Sequence, residues 1–143
     1  MEKISISNSV KKIQVNESGD FITFDPRDQG FNNRFLVLLQ EFSEKKDEYD
    51  KKLEEISAMP GDTDKQQIER ALAAVRFNSE LCDWMTGQIN AVFQDDVKQK
   101  VFGDIIPTGE AWAEFLYQLA PIIQTSRAEQ SDRVRKYTAK YKR

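Results

Sequence analysis

Phe35, Phe42, Tyr49 and Ile56 recur every seven residues, and Leu38, Leu39 and Leu53 fill the adjoining positions. That spacing marks one face of a helix. The opposite face is the charged run "EKKDEYDKKLEE", where pairs such as Glu48 with Lys52 add local i,i+4 support. The spacing predicts a helix from about Phe31 to Ser57, stopped by "MPGD" at Met59 to Asp62. Apolar density falls after Phe42, so the second half is expected to be less buried. A second helix opens at Thr63 or Asp64, where Thr63 with Gln66 fits a capping box. Ile68, Leu72, Val75, Cys82, Ile89 and Phe93 form its stripe, widened by Ala71, Leu81, Met85 and Val92. A stripe this wide predicts a central helix.

The segments on either side read differently. Val10 to Val15 is rich in β-branched residues, "NESGD" is a turn, and "FITF" at Phe21 to Phe24 returns as a second strand ended by Pro26. These make an N-terminal β-hairpin, with Phe21 and Thr23 on one face and Ile22 and Phe24 on the other. Two strands alone are marginal in water, so the hairpin must lie on the helices or pair with another chain. After the second helix, "QDDVKQKVFG" either continues it or makes a short extra turn before Gly103, a natural helix-ending glycine. A third helix starts near Thr108 with Glu110 in its first turn. Trp112, Phe115, Leu116, Leu119, Ile122 and Ile123 face its core, and Pro121 must kink or restart it. Beyond Ile123 only Val134, Tyr137 and Tyr141 remain apolar, which leaves a protruding helix or a frayed tail. The fold class expected is mainly α: three main helices in a small bundle, an N-terminal β-hairpin (about 10–25) and a protruding basic C-terminal helix or tail. One domain spans 1–126, and the tail spans 127–143. Leu72, Val75, Ile89, Phe35 and Phe115 are expected to be buried together.

Composition narrows the chemistry. The chain has 143 residues, 39% hydrophobic and 31% charged, and contains no histidine. The commonest general base, the commonest zinc ligand and every Ser–His or Cys–His pair are therefore missing. No run approaches the ~18–20 apolar residues of a membrane span, and "MEKISISNSVKK" has no secretory apolar region. The single Cys82 excludes an internal disulfide and reads as a small buried hydrophobe. Asp62, Asp64, Asp95, Asp96 and Asp104 do not match the calcium loop and read as caps and solvated loops. No catalytic, cofactor-binding or metal residues are expected, so the protein reads as a non-enzyme without cofactors.

The net charge of −3 conceals an asymmetry. From Arg127 onward seven basic residues (Arg127, Arg133, Arg135, Lys136, Lys140, Lys142 and Arg143) meet two acidic ones, Glu129 and Asp132, giving +5 and leaving −8 on the rest. Such a tail can cap its own helix dipole, meet an acidic protein surface, or meet nucleic acid. A nucleic-acid reader usually has a basic body, and this body is acidic. The candidate partner-binding residues are Trp84, one position off the stripe, with Arg133, Arg135, Lys136, Lys140, Lys142 and Arg143.

"VFGDIIPTGEAWAEFLYQLAPIIQ" followed by "RAEQSDRVRKYTAKYKR" resembles the small tail assembly chaperones of long-tailed (siphovirus-type) phages and prophages of Gram-positive bacteria. The apolar-Phe-Gly-Asp phrase falls on Val101 to Asp104, the aromatic and Phe-Leu positions on Trp112 to Leu116, and the basic end on Arg133 to Arg143. The short β segment and Phe/Leu-rich helix at the front are also similar. The resemblance implies a host-cytoplasmic oligomer that coats the tape measure protein, keeps it soluble and helps recruit tail tube subunits. It also implies a longer frameshifted form, with the junction near "KYTAKYKR". A homo-oligomer through the β-hairpin edge is a further expectation. The alternative is a small nucleic-acid-binding regulator acting through the basic tail, whose affinity would fall steeply with salt.

Overall fold

A computed structural model describes residues 1–6 and 8–141. The candidate residues Lys142 and Arg143 lie outside the described residues. Strands β1 (Lys11–Gln14) and β2 (Phe21–Phe24) form an antiparallel hairpin, with Lys11 opposite Phe24 and Ile13 opposite Ile22. β1 is shorter than the expected Val10–Val15. Val10 N–H donates to Asn8 Oδ1, and Val15 N–H is taken by the turn, donating to Asp20 O at 3.0 Å. Gly19, at φ +91°, makes that turn possible. As the alternation required, Ile22 and Phe24 are buried and Phe21 and Thr23 are exposed.

The hairpin is held at both ends. Asn16 donates to Lys100 O at 2.8 Å and Lys100 Nζ donates to Phe21 O at 3.1 Å. At the base, Asp25 accepts from Ser9 Oγ and from the Arg27 guanidinium, each at 2.9 Å. Those donors hold the Asp25 carboxyl well below the usual carboxylate range, against a smaller opposing effect of burial.

Asp28 then caps α1 (Gln29–Ser57) through Phe31 N–H, which starts the helix two residues earlier than the apolar periodicity alone suggests. Helix α2 (Asp64–Phe93) opens with both halves of the Thr63–Gln66 capping box present. It ends at Gln94, which takes a left-handed conformation at φ 53°. The chain restarts with Asp96 as cap, so α3 (Val97–Phe102) is a separate short helix. Thr108 accepts from Ala111 N–H at 3.1 Å to begin α4 (Gly109–Tyr141). Helix α4 continues through Pro121, whose position is exposed, and neither ends nor restarts there. From Ser131 to Lys140 the chain is helical and exposed, a protruding helix and not a frayed tail.

The core lies where the N-terminal half of α1, the C-terminal half of α2, α3, β2 and the first half of α4 converge. Phe24 and Phe31 stack at 5.3 Å between ring centroids. Trp112 is fully buried, meets Phe102 edge-on at 4.8 Å, and donates its indole N–H to Thr86 Oγ1 at 3.1 Å. Phe35 and Ile89 belong to this core as expected, and Phe115 packs on its margin. Leu72 and Val75 do not: they are 47% and 61% exposed. They sit on the apolar stripe of α2, but over that half of the helix α1 packs on a neighbouring face and leaves the face that carries them open.

Candidate functional site

Ile68, Val75, Cys82 and Ile89 occupy one line along α2, seven residues apart. Seven residues is close to two helical turns, so all four point the same way. Their exposures are 61%, 61%, 4% and 0%. The change falls where α4 begins. A Cβ on Gly109 would stand 3.1 Å from Leu81 Cδ2, so the start of α4 is pressed against α2 there, and glycine permits it. From that point α4 runs beside α2 past Thr86 and reaches the hairpin, where Glu129 comes to 3.9 Å from Lys11. Helix α4 therefore covers the lower half of the stripe and leads away from the upper half.

Above Gly109, helices α1 and α2 continue as a two-helix arm joined by residues 58–63. Inside the arm Tyr49 stacks on Phe77 at 5.5 Å, and Ile56 is buried. Its outer flank carries Ile68, Leu72 and Val75, all exposed. At the foot of this flank is a cleft of about 300 Å³ lined by Tyr49, Val75, Cys82, Ile106, Pro107 and Glu110 among others. Ile105 and Ile106 add exposed apolar surface beside it. Burial, with the neighbouring charges of Glu110, Cys82 and Asp50, pushes the Tyr49 hydroxyl pKa up. Burial likewise pushes the Cys82 thiol up, opposed by a backbone hydrogen bond at Gly109. Both groups thus stay neutral and apolar in character at neutral pH. The arrangement is a three-helix groove with its third position filled below and open above.

The other candidate residues lie elsewhere. Trp84 is half-buried in a separate shallow recess with Phe77, Glu48 and Glu80, and Lys45 Nζ sits 5.4 Å from its ring centroid. Arg133, Arg135, Lys136 and Lys140 lie on the protruding end of α4, beyond the hairpin and remote from Trp84. Arg135 approaches Asp132 at 3.9 Å, an exposed pair. A larger recess of about 370 Å³ lies between β1, α3 and α4, walled by Ile13, Val101, Phe115 and Leu119. The open stretch of α2 was hidden in the sequence because its residues carry the same apolar pattern as the covered stretch.

Among the described residues no group of His, Cys, Asp or Glu side chains could hold a metal ion, and no helix is long and apolar enough to cross a membrane. Comparison of the chain with protein families, with curated proteins and with solved structures returns no match.

Proposed function

We propose that this chain is a phage tail assembly chaperone that binds the helical tape measure protein along the open stretch of its α1–α2 arm and helps gather tail tube subunits around it. The observation supporting this reading is the break in burial along one α2 stripe, from Val75 at 61% exposed to Cys82 at 4%. An amphipathic helix laid on Ile68, Leu72 and Val75 continues the packing that α4 makes lower down, which is helix-in-groove recognition. Full burial of one such side chain contributes about 1.5–3 kcal/mol, and these three are already partly covered. Each site is therefore weak, and a long client with many apolar stripes is held by many copies and released as the tube replaces them. The basic end of α4 adds attraction to acidic stretches of the client, screened over about 8–10 Å at ordinary ionic strength.

Co-expression tests this. The tape measure protein proposed as client should stay soluble with the natural chain and precipitate with a variant carrying Ile68→Asp and Val75→Asp. Equal precipitation with and without the natural chain would end the chaperone reading. Tight binding of duplex DNA in physiological salt would replace it with the regulator reading.

A further inference from the structure

The outer edge of the hairpin is open. Val15 N–H donates to Asp20 O, in register with the β1–β2 ladder, so the odd-numbered residues of β1 turn their backbone groups toward β2. Lys12 and Gln14 turn theirs the other way, and among the described residues no strand pairs with that side. The recess of about 370 Å³ opens there. It touches both Ile13 and Gln14, whose side chains lie on opposite faces of the strand, so it reaches round the free edge. Its α4 wall is apolar, with Phe115, Leu119 and Ile122, and Ile122 is still partly open to solvent. A strand added to this edge would gain backbone hydrogen bonds and a pocket for every second side chain.

The same chain carries a segment with that pattern. In "KISI", Lys3 to Ile6, apolar and polar residues alternate, yet the segment belongs to no strand, and Ile4 and Ile6 are 90% and 76% exposed. Opposed residues of an antiparallel pair share a face. With Ile6 opposite Ile13 and Ile4 opposite Val15, both isoleucines face the recess, and Ser5 faces solvent with Gln14. The chain does not double back to make this pair itself. Ser9 is buried and donates to Asp25, and Val10 N–H is taken by Asn8 Oδ1. None of Asn8, Ser9 and Val10 has the positive φ of a tight hairpin turn. We infer that Lys3 to Ile6 of one copy adds as a third, antiparallel strand to the β1 edge of a second copy, seating Ile4 and Ile6 in the recess between β1, α3 and α4. Segment and edge adjoin in the chain, so a two-fold axis lets each copy give one strand and receive one, and the exchange closes as a dimer. The contact is independent of the client slot, the open stretch of α2 at Ile68, Leu72 and Val75.

Sedimentation equilibrium of the full-length chain and two variants tests the exchange. One variant carries Ile4→Asp and Ile6→Asp. The other carries Gln14→Pro, which removes an outward N–H and leaves the β1–β2 ladder intact. All three positions are exposed, so both variants should keep the circular dichroism of the natural chain. The natural chain should reach twice 16.6 kDa with little dependence on salt, and both variants should stay at 16.6 kDa at the same concentrations. If Gln14→Pro fails to fold, the isoleucine variant decides alone. A natural chain that is monomeric at its solubility limit overturns the inference. If its Gln14 amide is nevertheless protected from hydrogen exchange, and the isoleucine variant loses that protection, the segment has returned to its own edge. An isoleucine variant that dimerises like the natural chain places the contact elsewhere and overturns the inference equally.

Discussion

Ile89 and Ile68 offer the same residue type on the same stripe of the same helix, one under α4 and one beyond its reach. Replacing each by Ala removes the same atoms. Ile89 is fully buried in the main core, so Ile89→Ala loses transfer energy and leaves a cavity, a cost of about 2–5 kcal/mol. Ile68 is 61% exposed, so only the smaller part of its burial, about 1 kcal/mol, is at stake. Alanine recovers a few tenths of a kcal/mol of helix propensity there. The net change at Ile68 should lie within about 0.5 kcal/mol of zero, the range of surface substitutions. Urea unfolding measures both. The midpoint should fall sharply for Ile89→Ala and hardly move for Ile68→Ala, with unchanged slope in each. A loss of 2 kcal/mol or more at Ile68 (~2–5 being the signature of a buried site) would mean the upper stripe is covered in the monomer and the slot does not exist.

Thr63→Ala removes the side chain that caps α2 and should cost about 0.5–2 kcal/mol in the same assay. Trp112→Phe removes the indole donor to Thr86 and leaves a gap in the core, so it should destabilise the fold by at least the ~1 kcal/mol of a hydrogen bond. The Asp25 carboxyl titrates below its unfolded value of about 3.9, so its contribution is complete above that pH and is lost as pH falls through the lower folded value. Asp25→Asn should therefore destabilise the protein at neutral pH and lessen the loss of stability on acidification below about pH 4; equal acid sensitivity in both proteins would refute this role for Asp25. Replacing Gly109 by Leu should push α4 off Leu81 and weaken the bundle, while the same change at Gly87, which has open space around it, should affect only helix propensity.

The helices and their caps were legible because their signals are local. The Thr63–Gln66 box, Thr108 and the alternation that buries Ile22 and Phe24 each depend on a few neighbouring residues. The break before α3 was left open in the sequence because no glycine or proline marks it; Gln94 takes the positive φ instead. The burial of Leu72 and Val75 was misread for a deeper reason. Periodicity gives the direction in which a side chain points, not whether anything lies there. That depends on where α4 begins along α2, which Gly109 and Leu81 settle through a contact between residues far apart in the chain. The same long-range fact created the slot, so the candidate site was invisible for the reason the core was overestimated. Trp84 was singled out by its place one position off the stripe and the basic tail by its charge, and neither adjoins the slot within one copy.

Hydrogen exchange of the full-length protein with and without the helical client tests the slot most directly. The outer half of α2 has few packed neighbours and should exchange readily when free. If a client helix fills the open position, amides from about Asp64 to Asn78 should slow markedly, along with those near Ile106, while the hairpin and the Trp84 recess stay unchanged. Protection confined to the β1 edge or to the recess around Trp84, with α2 from Asp64 to Asn78 exchanging as before, would contradict helix binding on the arm.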